Sequence, residues 1–159
     1  MPRRSILSAT ERTSLLSMPQ AQDDLIRLYT FSDTDLALIR QRRGNTNRLG
    51  WAVQLCLLRF PGQGLLTDND VPMQLLQWVG QQLNIAPTCW EQYAQREPTR
   101  REHLLELRTY LGMVPFGLTH FRKMVQTTTE LAMQTDKGVV LAAGVLDRLR
   151  LQRTIVPAV

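Results

Sequence analysis

The stretch RQRRGNTNRLGWAVQLCLLRFPG, residues 40–62, decides how the chain is read. From Asn47 to Phe60 it sets Leu49, Ala52, Val53, Cys56, Leu57 and Phe60 three or four residues apart. That spacing gathers apolar side chains on one broad face of a helix, which must then be buried. Pro61-Gly62 ends the helix, because proline offers no amide hydrogen and glycine accepts turn geometry. Gly44 is the stop for a helix arriving from the other side. Between them lies a turn with four arginines and two asparagines in the nine residues from Arg40 to Arg48. A helical protein is therefore expected, with its core built around residues 47–60.

Working outward, further helices announce themselves by their caps. Ser8 with Glu11 and Ser32 with Asp35 have the Ser-x-x-acid pattern in which a hydroxyl and a carboxylate satisfy the open amides of a first turn. The first of these segments must close before Pro19, and the second carries Leu36 and Ile39. Ala21 to Tyr29 makes a short helix between them. After the loop PGQGLLTDND, Asp70 is expected to cap a helix through Leu83, with Leu75, Leu76 and Val79 inward and Asn84 and Pro87 at its end. Pro87 to Gln95 reads as a short helix before a break at Glu97-Pro98. Thr99 with Glu102 opens the next, which carries Leu104, Leu107 and Leu111 up to Gly112. Past the turn GMVPFGLT, Thr119 caps a helix reaching Ala132, and Gly138 precedes a last one with Val140, Leu141, Leu146 and Leu149.

About nine short helices make an all-α fold, with no repeat, no low-complexity tract and no period-two strand; Thr154 to Val156 is too short to judge. Two architectures stay open for residues 1–159. One is a single compact domain. The other is a pair of small helical subdomains with a seam near residues 84–98, where two proline breaks fall in an acidic middle.

Composition narrows the chemistry. No apolar run approaches the roughly 20 residues that a membrane span needs, and the opening MPRRSILSATER lacks the apolar stretch of a secretory signal. No membrane partner is expected, and the cytoplasm is the expected location. Cys56 and Cys89 form no C-x-x-C pair, and His103 and His120 lack a third ligand at close spacing, so neither metal nor other cofactor is expected. The acidic pairs Asp23-Asp24, Asp33 with Asp35, and Asp68 with Asp70 all fall near predicted helix starts. There they favour the positive end of the dipole and accept backbone amides, without a bound cation. Gly62-Gln63-Gly64 lacks the Lys-Ser/Thr of a phosphate-binding loop, and no nucleophile setting occurs. An enzymatic reading finds little support.

The formal charge is +5, a balance that suits a polyanionic partner. Residues 1–60 hold nine Arg against five Asp and Glu, residues 61–97 one against four, and residues 98–159 nine Arg and Lys against five. Seventeen of the nineteen basic residues are Arg, whose planar fork matches phosphate and the guanine edge. The first candidate DNA contact is Arg40, Arg42, Arg43, Asn45, Asn47 and Arg48, mixing phosphate-seeking forks with amides that suit adenine. The same residues also suit a solvated helix-ending turn. The second candidate is a helix-turn-helix-like unit over residues 99–134, with Arg100 and Arg101 on one helix and Arg122 and Lys123, beside His120 and Gln126, on the other. Its turn from Gly112 to Leu118 exceeds the usual length, and a plain αα-hairpin fits equally well. Trp51, Trp78, Trp90, Phe31, Phe60 and Phe121 lie among aliphatic neighbours and do not interleave with the basic clusters, which favours duplex over single-stranded DNA.

Four strings, MPRRSILSATERTSLL, RQRRGNTNRLGWAVQLCLLRFPG, TRREHLLELRTYLG and DKGVVLAAGVLDRLRLQRTIVPA, resemble the opening segment of the Tn-three family of replicative transposases. The similarity runs over the whole chain. The resemblance implies a module that recognises terminal inverted repeats of a transposon, with double-stranded DNA and the remainder of the transposase as partners. It also implies that the family's catalytic Asp-Asp-Glu set lies outside this chain. Two other readings remain: a module for protein contacts within the assembly, using apolar faces around Trp78 and Trp90, and a truncated remnant that folds without binding.

Overall fold

A computed structural model describes residues 6–64 and 71–157. Nine helices occur among them: α1 (Ala9–Leu15), α2 (Gln22–Tyr29), α3 (Asp33–Arg40), α4 (Asn45–Arg59), α5 (Met73–Leu83), α6 (Cys89–Ala94), α7 (Glu97–Leu111), α8 (Leu118–Ala132) and α9 (Gly138–Leu151). The only strand-like feature among the described residues is one isolated bridge, Val114 with Thr154. The fold is all-α. The helices divide into two compact units, a larger one over residues 18–112 and a smaller one from residues 6–17 and 113–157. Residues 84–98 run within the larger unit.

In the larger unit α4 is the axis. Every residue from Leu49 to Leu58 is buried, because α2, α3, α5, α6 and α7 all pack against it. A helix enclosed on all sides needs a close approach somewhere. Gly50 provides it, since a Cβ there would stand 2.2 Å from the Tyr93 ring of α6. Some of the polar groups brought inside are matched between helices, while Gln54 Oε1 and Trp78 Nε1 are not. Tyr29 donates its hydroxyl to the Phe60 carbonyl at 2.8 Å. Gln82 donates to the Tyr29 carbonyl and accepts from the Phe31 amide, both at 2.9 Å, and so fixes the α2–α3 connection to α5.

The smaller unit packs α1 and α8 against α9. Gly144 lets Leu131 of α8 approach α9, and Gly138 lets Ile6 approach its start. The chain after α9 returns beside the chain before α8, with Val114 donating to the Arg153 carbonyl and Ile155 donating to the Val114 carbonyl, each at 2.9 Å. Of its described hydrophobic residues only Val145, Leu149 and Val156 are buried. An apolar cavity of about 410 Å³ remains between Leu15, Met124, Leu141 and Val145.

Ser8 and Ser32 do form reciprocal capping boxes with Glu11 and Asp35. Three expected starts differ. Helix α7 begins at Glu97, before Thr99, because Pro98 falls in the first turn, where a missing amide hydrogen costs nothing. Helix α8 begins at Leu118 without a Thr119 cap; the Gly117 amide donates to His120 Nδ1 at 3.0 Å. Helix α5 begins at Met73 with Pro72 at its N-cap, while Asp68 and Asp70 lie outside the described residues.

Candidate nucleic-acid interface

The turn from Arg40 to Arg48 joins α3 to α4, and Gly44 makes the reversal with φ of 82°, a conformation that favours glycine. Its arginines fall into two kinds. Arg48 reaches back over the turn, with Nε donating to the Arg42 carbonyl at 2.9 Å and Nη2 to the Arg40 carbonyl at 3.2 Å. It thereby satisfies one carbonyl at the end of α3 and one in the turn just past it. Arg42 turns inward. Its guanidinium pairs with Glu106 of α7 and lies 5.5 Å from the centre of the Trp51 ring. Glu106 in turn accepts from Trp51 Nε1 at 3.2 Å, so one carboxylate ties the turn, α4 and α7 together.

Arg40, Arg43 and Asn45 are exposed, and their side chains have no partner among the described residues. Asn47 Oδ1 stands 3.5 Å from Arg96 Nη1, and the Thr46 hydroxyl donates to Gln92 Oε1 at 3.2 Å. The six residues predicted from this turn are thus held together, three of them with free polar ends.

The other predicted residues are spread out. Arg100 is buried on α7, 8% exposed, with Nε and Nη1 unpartnered, while its carbonyl accepts from Gln54 Nε2 at 3.1 Å. Arg101 is exposed and paired with Glu97. Arg122 and Lys123 are exposed on α8. Since α7 closes the larger unit and α8 belongs to the smaller, the helix pair over residues 99–134 does not lie within one unit.

Two polar clusters stiffen the scaffold beneath the turn. Asp35, 1% exposed, accepts both forks of Arg59 at 2.7 and 2.8 Å, the Tyr110 hydroxyl at 2.7 Å and the Ser32 amide at 2.9 Å. Burial alone would raise its pKa, but the Arg59, Tyr110 and Ser32 donors outweigh that and bring it down to about 2. In the second cluster Gln54 Nε2 donates to the Tyr93 hydroxyl at 2.5 Å, which bonds His103 Nδ1 at 2.9 Å. The Tyr93 and His103 rings stack at 5.6 Å. Burial holds His103 below the usual histidine range and pushes the Cys56 thiol up. Among the described residues no group of three or more His, Cys, Asp or Glu side chains is placed to hold a metal ion, and no helix is long and apolar enough to cross a membrane. From sequence Asp35 reads as a helix-start acid, and nothing local marks Glu106. Their partners are 24 and 64 residues away, beyond any local pattern.

A family model described as a domain of unknown function, DUF4158, matches residues 6–159. The chain belongs to the DUF4158 family. Its sequence is similar to that of the transposase for transposon Tn501 from Pseudomonas aeruginosa, 60% identical over 158 residues covering 99% of this chain and 16% of that protein. The transposase for Tn21 from Escherichia coli is 59% identical over 158 residues, with the same shares covered. The transposase for Tn1546 from Enterococcus faecium is 32% identical over 156 residues, covering 98% of this chain and 16% of its own length. The resemblance to the Tn-three transposases thus extends over nearly all of this DUF4158 chain, which spans about 16% of the length of these relatives.

Proposed function

We propose that this DUF4158 chain is a sequence-specific duplex-DNA-binding module that recognises the terminal inverted repeats of a transposon, with the remainder of a transposase as its protein partner. The observation that carries the reading is the division of labour in the turn. Arg42 and Arg48 are engaged with other groups of the protein and brace the turn, while Arg40, Arg43 and Asn45 present unpaired polar ends to solvent. An exposed cationic fork beside a free amide suits a contact in which arginine takes phosphate and asparagine reads a base edge. Strand cleavage and joining are assigned to other parts of the transposase, and the chain acts in the cytoplasm without a cofactor.

The test is a titration against end-repeat duplex and scrambled duplex at two salt concentrations. Arg40→Ala or Arg43→Ala is expected to weaken both complexes and flatten the salt dependence by on the order of one unit of slope. Asn45→Ala is expected to cost about 1–3 kcal/mol on the end repeat and to leave the scrambled duplex almost unchanged. Equal affinity of the parent for both duplexes would overturn sequence-specific binding.

A second reading, a protein-contact module, draws on the smaller unit. Leu118, Phe121 and Val125 form an exposed stripe along α8, 67%, 54% and 52% exposed. Trp78 and Trp90, the centres expected from sequence, are half-buried in the larger unit. Loss of assembly in the intact transposase on Phe121→Asp, with DNA affinity retained, would favour this reading.

A further inference from the structure

Beside the turn lies a cavity of about 480 Å³ between the end of α3, the start of α4 and the end of α5. That is the size of a small-molecule site, roughly 300–1,000 Å³. Its apolar lining comes from Leu36 and Leu83, both half-buried, over the buried Ile39 and Ile85. Arg48 and Gln82 also line it, but both are engaged, Arg48 with two carbonyls and Gln82 with the α2–α3 connection. The free polar groups are the Arg40 guanidinium and the side-chain amides of Asn45 and Asn84. Asn84 is held in the left-handed conformation, φ 55°, as the C-cap of α5. No acidic side chain lines the cavity.

A ligand matching this lining has a flat apolar face, an edge with alternating donors and acceptors, and a negative charge. A nucleotide has all three. Each asparagine amide offers a donor and an acceptor to a base edge, Leu36 and Leu83 take the base face, and Arg40 takes phosphate. We propose that this cavity receives one unstacked nucleotide of the bound DNA. The proposal rests on the DNA-binding reading above and goes beyond it, since a module that only follows a paired duplex needs no such recess. Proteins that accept an extruded base hold it in a pocket of this kind and read its edge there.

The experiment compares the intact chain on a fully paired end-repeat duplex and on the same duplex with one bulged 2-aminopurine nucleotide, scanned through the repeat. At one position the bulge is expected to tighten binding about tenfold. Fluorescence should rise there on binding, because no aromatic side chain lines the cavity to stack on the probe. Asn84→Gly keeps the backbone conformation and removes the amide, and Leu36→Trp fills the cavity; each should abolish the gain while leaving the paired duplex bound. If Leu36→Trp fails to fold, Asn84→Gly carries the test alone. Deoxyadenosine monophosphate should compete away the gain and inorganic phosphate at equal concentration should not; the reverse would mark an anion site and overturn the proposal. Equal binding of paired and bulged duplexes at every position overturns the proposal and leaves the DNA-binding reading standing. Binding of neither overturns both.

Discussion

The two units are built from the same kind of helix and are buried to very different depths. Of the 21 buried hydrophobic residues among those described, 18 belong to the larger unit. Of the 11 exposed large hydrophobic residues, eight belong to the smaller. Helix α4 is enclosed along ten consecutive residues, whereas α8, equally long at 15 residues, has none buried. Capping and period decide that a segment is helical; they do not decide how much of it is covered. That depends on how many neighbours the chain brings to it, and α4 has five while α8 has α9.

The largest expected effect is a pair of matched truncations. Leu55→Ala, at a site with 0% exposure in α4, should cost about 4 kcal/mol, and Leu149→Ala in α9 about 2 kcal/mol, since a loosely packed site can relax into the space. Hydrogen exchange resolves the units, with α4 amides the slowest. Equal costs would break the comparison.

Next comes the buried ion pair of the larger unit, which has no counterpart among the described groups of the smaller. Arg59→Ala leaves the Asp35 carboxylate buried with only Tyr110 and Ser32 as donors, at a cost of about 3 kcal/mol. The pair also gives the larger unit a pH signature. Because Asp35 has a folded pKa below its ordinary 3.8, its contribution is present above that value and is lost as pH falls towards about 2. His103 adds to the same direction earlier. Held below its ordinary 6.5 by burial, it takes up its proton at lower pH in the fold than in the unfolded chain, so stability erodes as pH drops below that value. Melts from pH 7 to pH 2 should destabilise the larger unit in these two windows, and Asp35→Asn should remove the lower one.

A third, smaller effect tests the close approach at α4 and α6. Gly50→Ala sets a methyl carbon 2.2 Å from the Tyr93 ring and should cost about 1–3 kcal/mol. Gly144→Ala in α9 meets only the flexible end of Leu131, at 2.5 Å, and should cost less. Thermal melts of the two variants compare the tightness of the units directly.

How much of this was legible in the sequence depends on the range of the interaction. The period of residues 47–60 located the core, and the Ser8 and Ser32 boxes located two helix starts to the residue, because those signals are local. Pro98 misled because proline marks a helix start as readily as a break. The turn from Arg40 to Arg48 was visible as a basic cluster, but the partition of its arginines was not. Arg42 points inward only because Glu106 and Trp51 are there to receive it, and Arg48 because the turn at Gly44 brings two carbonyls within reach. The nucleotide-sized cavity was equally invisible, since residues 36–48 and 82–85 meet only in the fold.

The smallest expected effect compares the two caps that sequence located. Ser8 and Ser32 make the same capping box, each hydroxyl accepting the N3 amide, at 3.2 and 3.1 Å. If a cap were purely local, Ser8→Ala and Ser32→Ala would each cost about 1 kcal/mol. Their surroundings differ. Helix α1 has no buried residue, so fraying its first turn uncovers little apolar surface. Helix α3 carries Asp35 at N3 and Ile39 in the core, and its first turn aims the carboxylate that Arg59 and Tyr110 hold. Ser32→Ala is therefore expected to reach the full 1 kcal/mol in a global melt, and Ser8→Ala only a few tenths, with faster exchange confined to α1. The double variant Ser32→Ala with Asp35→Asn should be less costly than the sum of its parts, because the cap acts partly through the carboxylate. Equal losses at the two serines, with additive behaviour in the double variant, would mean that caps here are independent of packing, and that the contrast between the units stops at their cores.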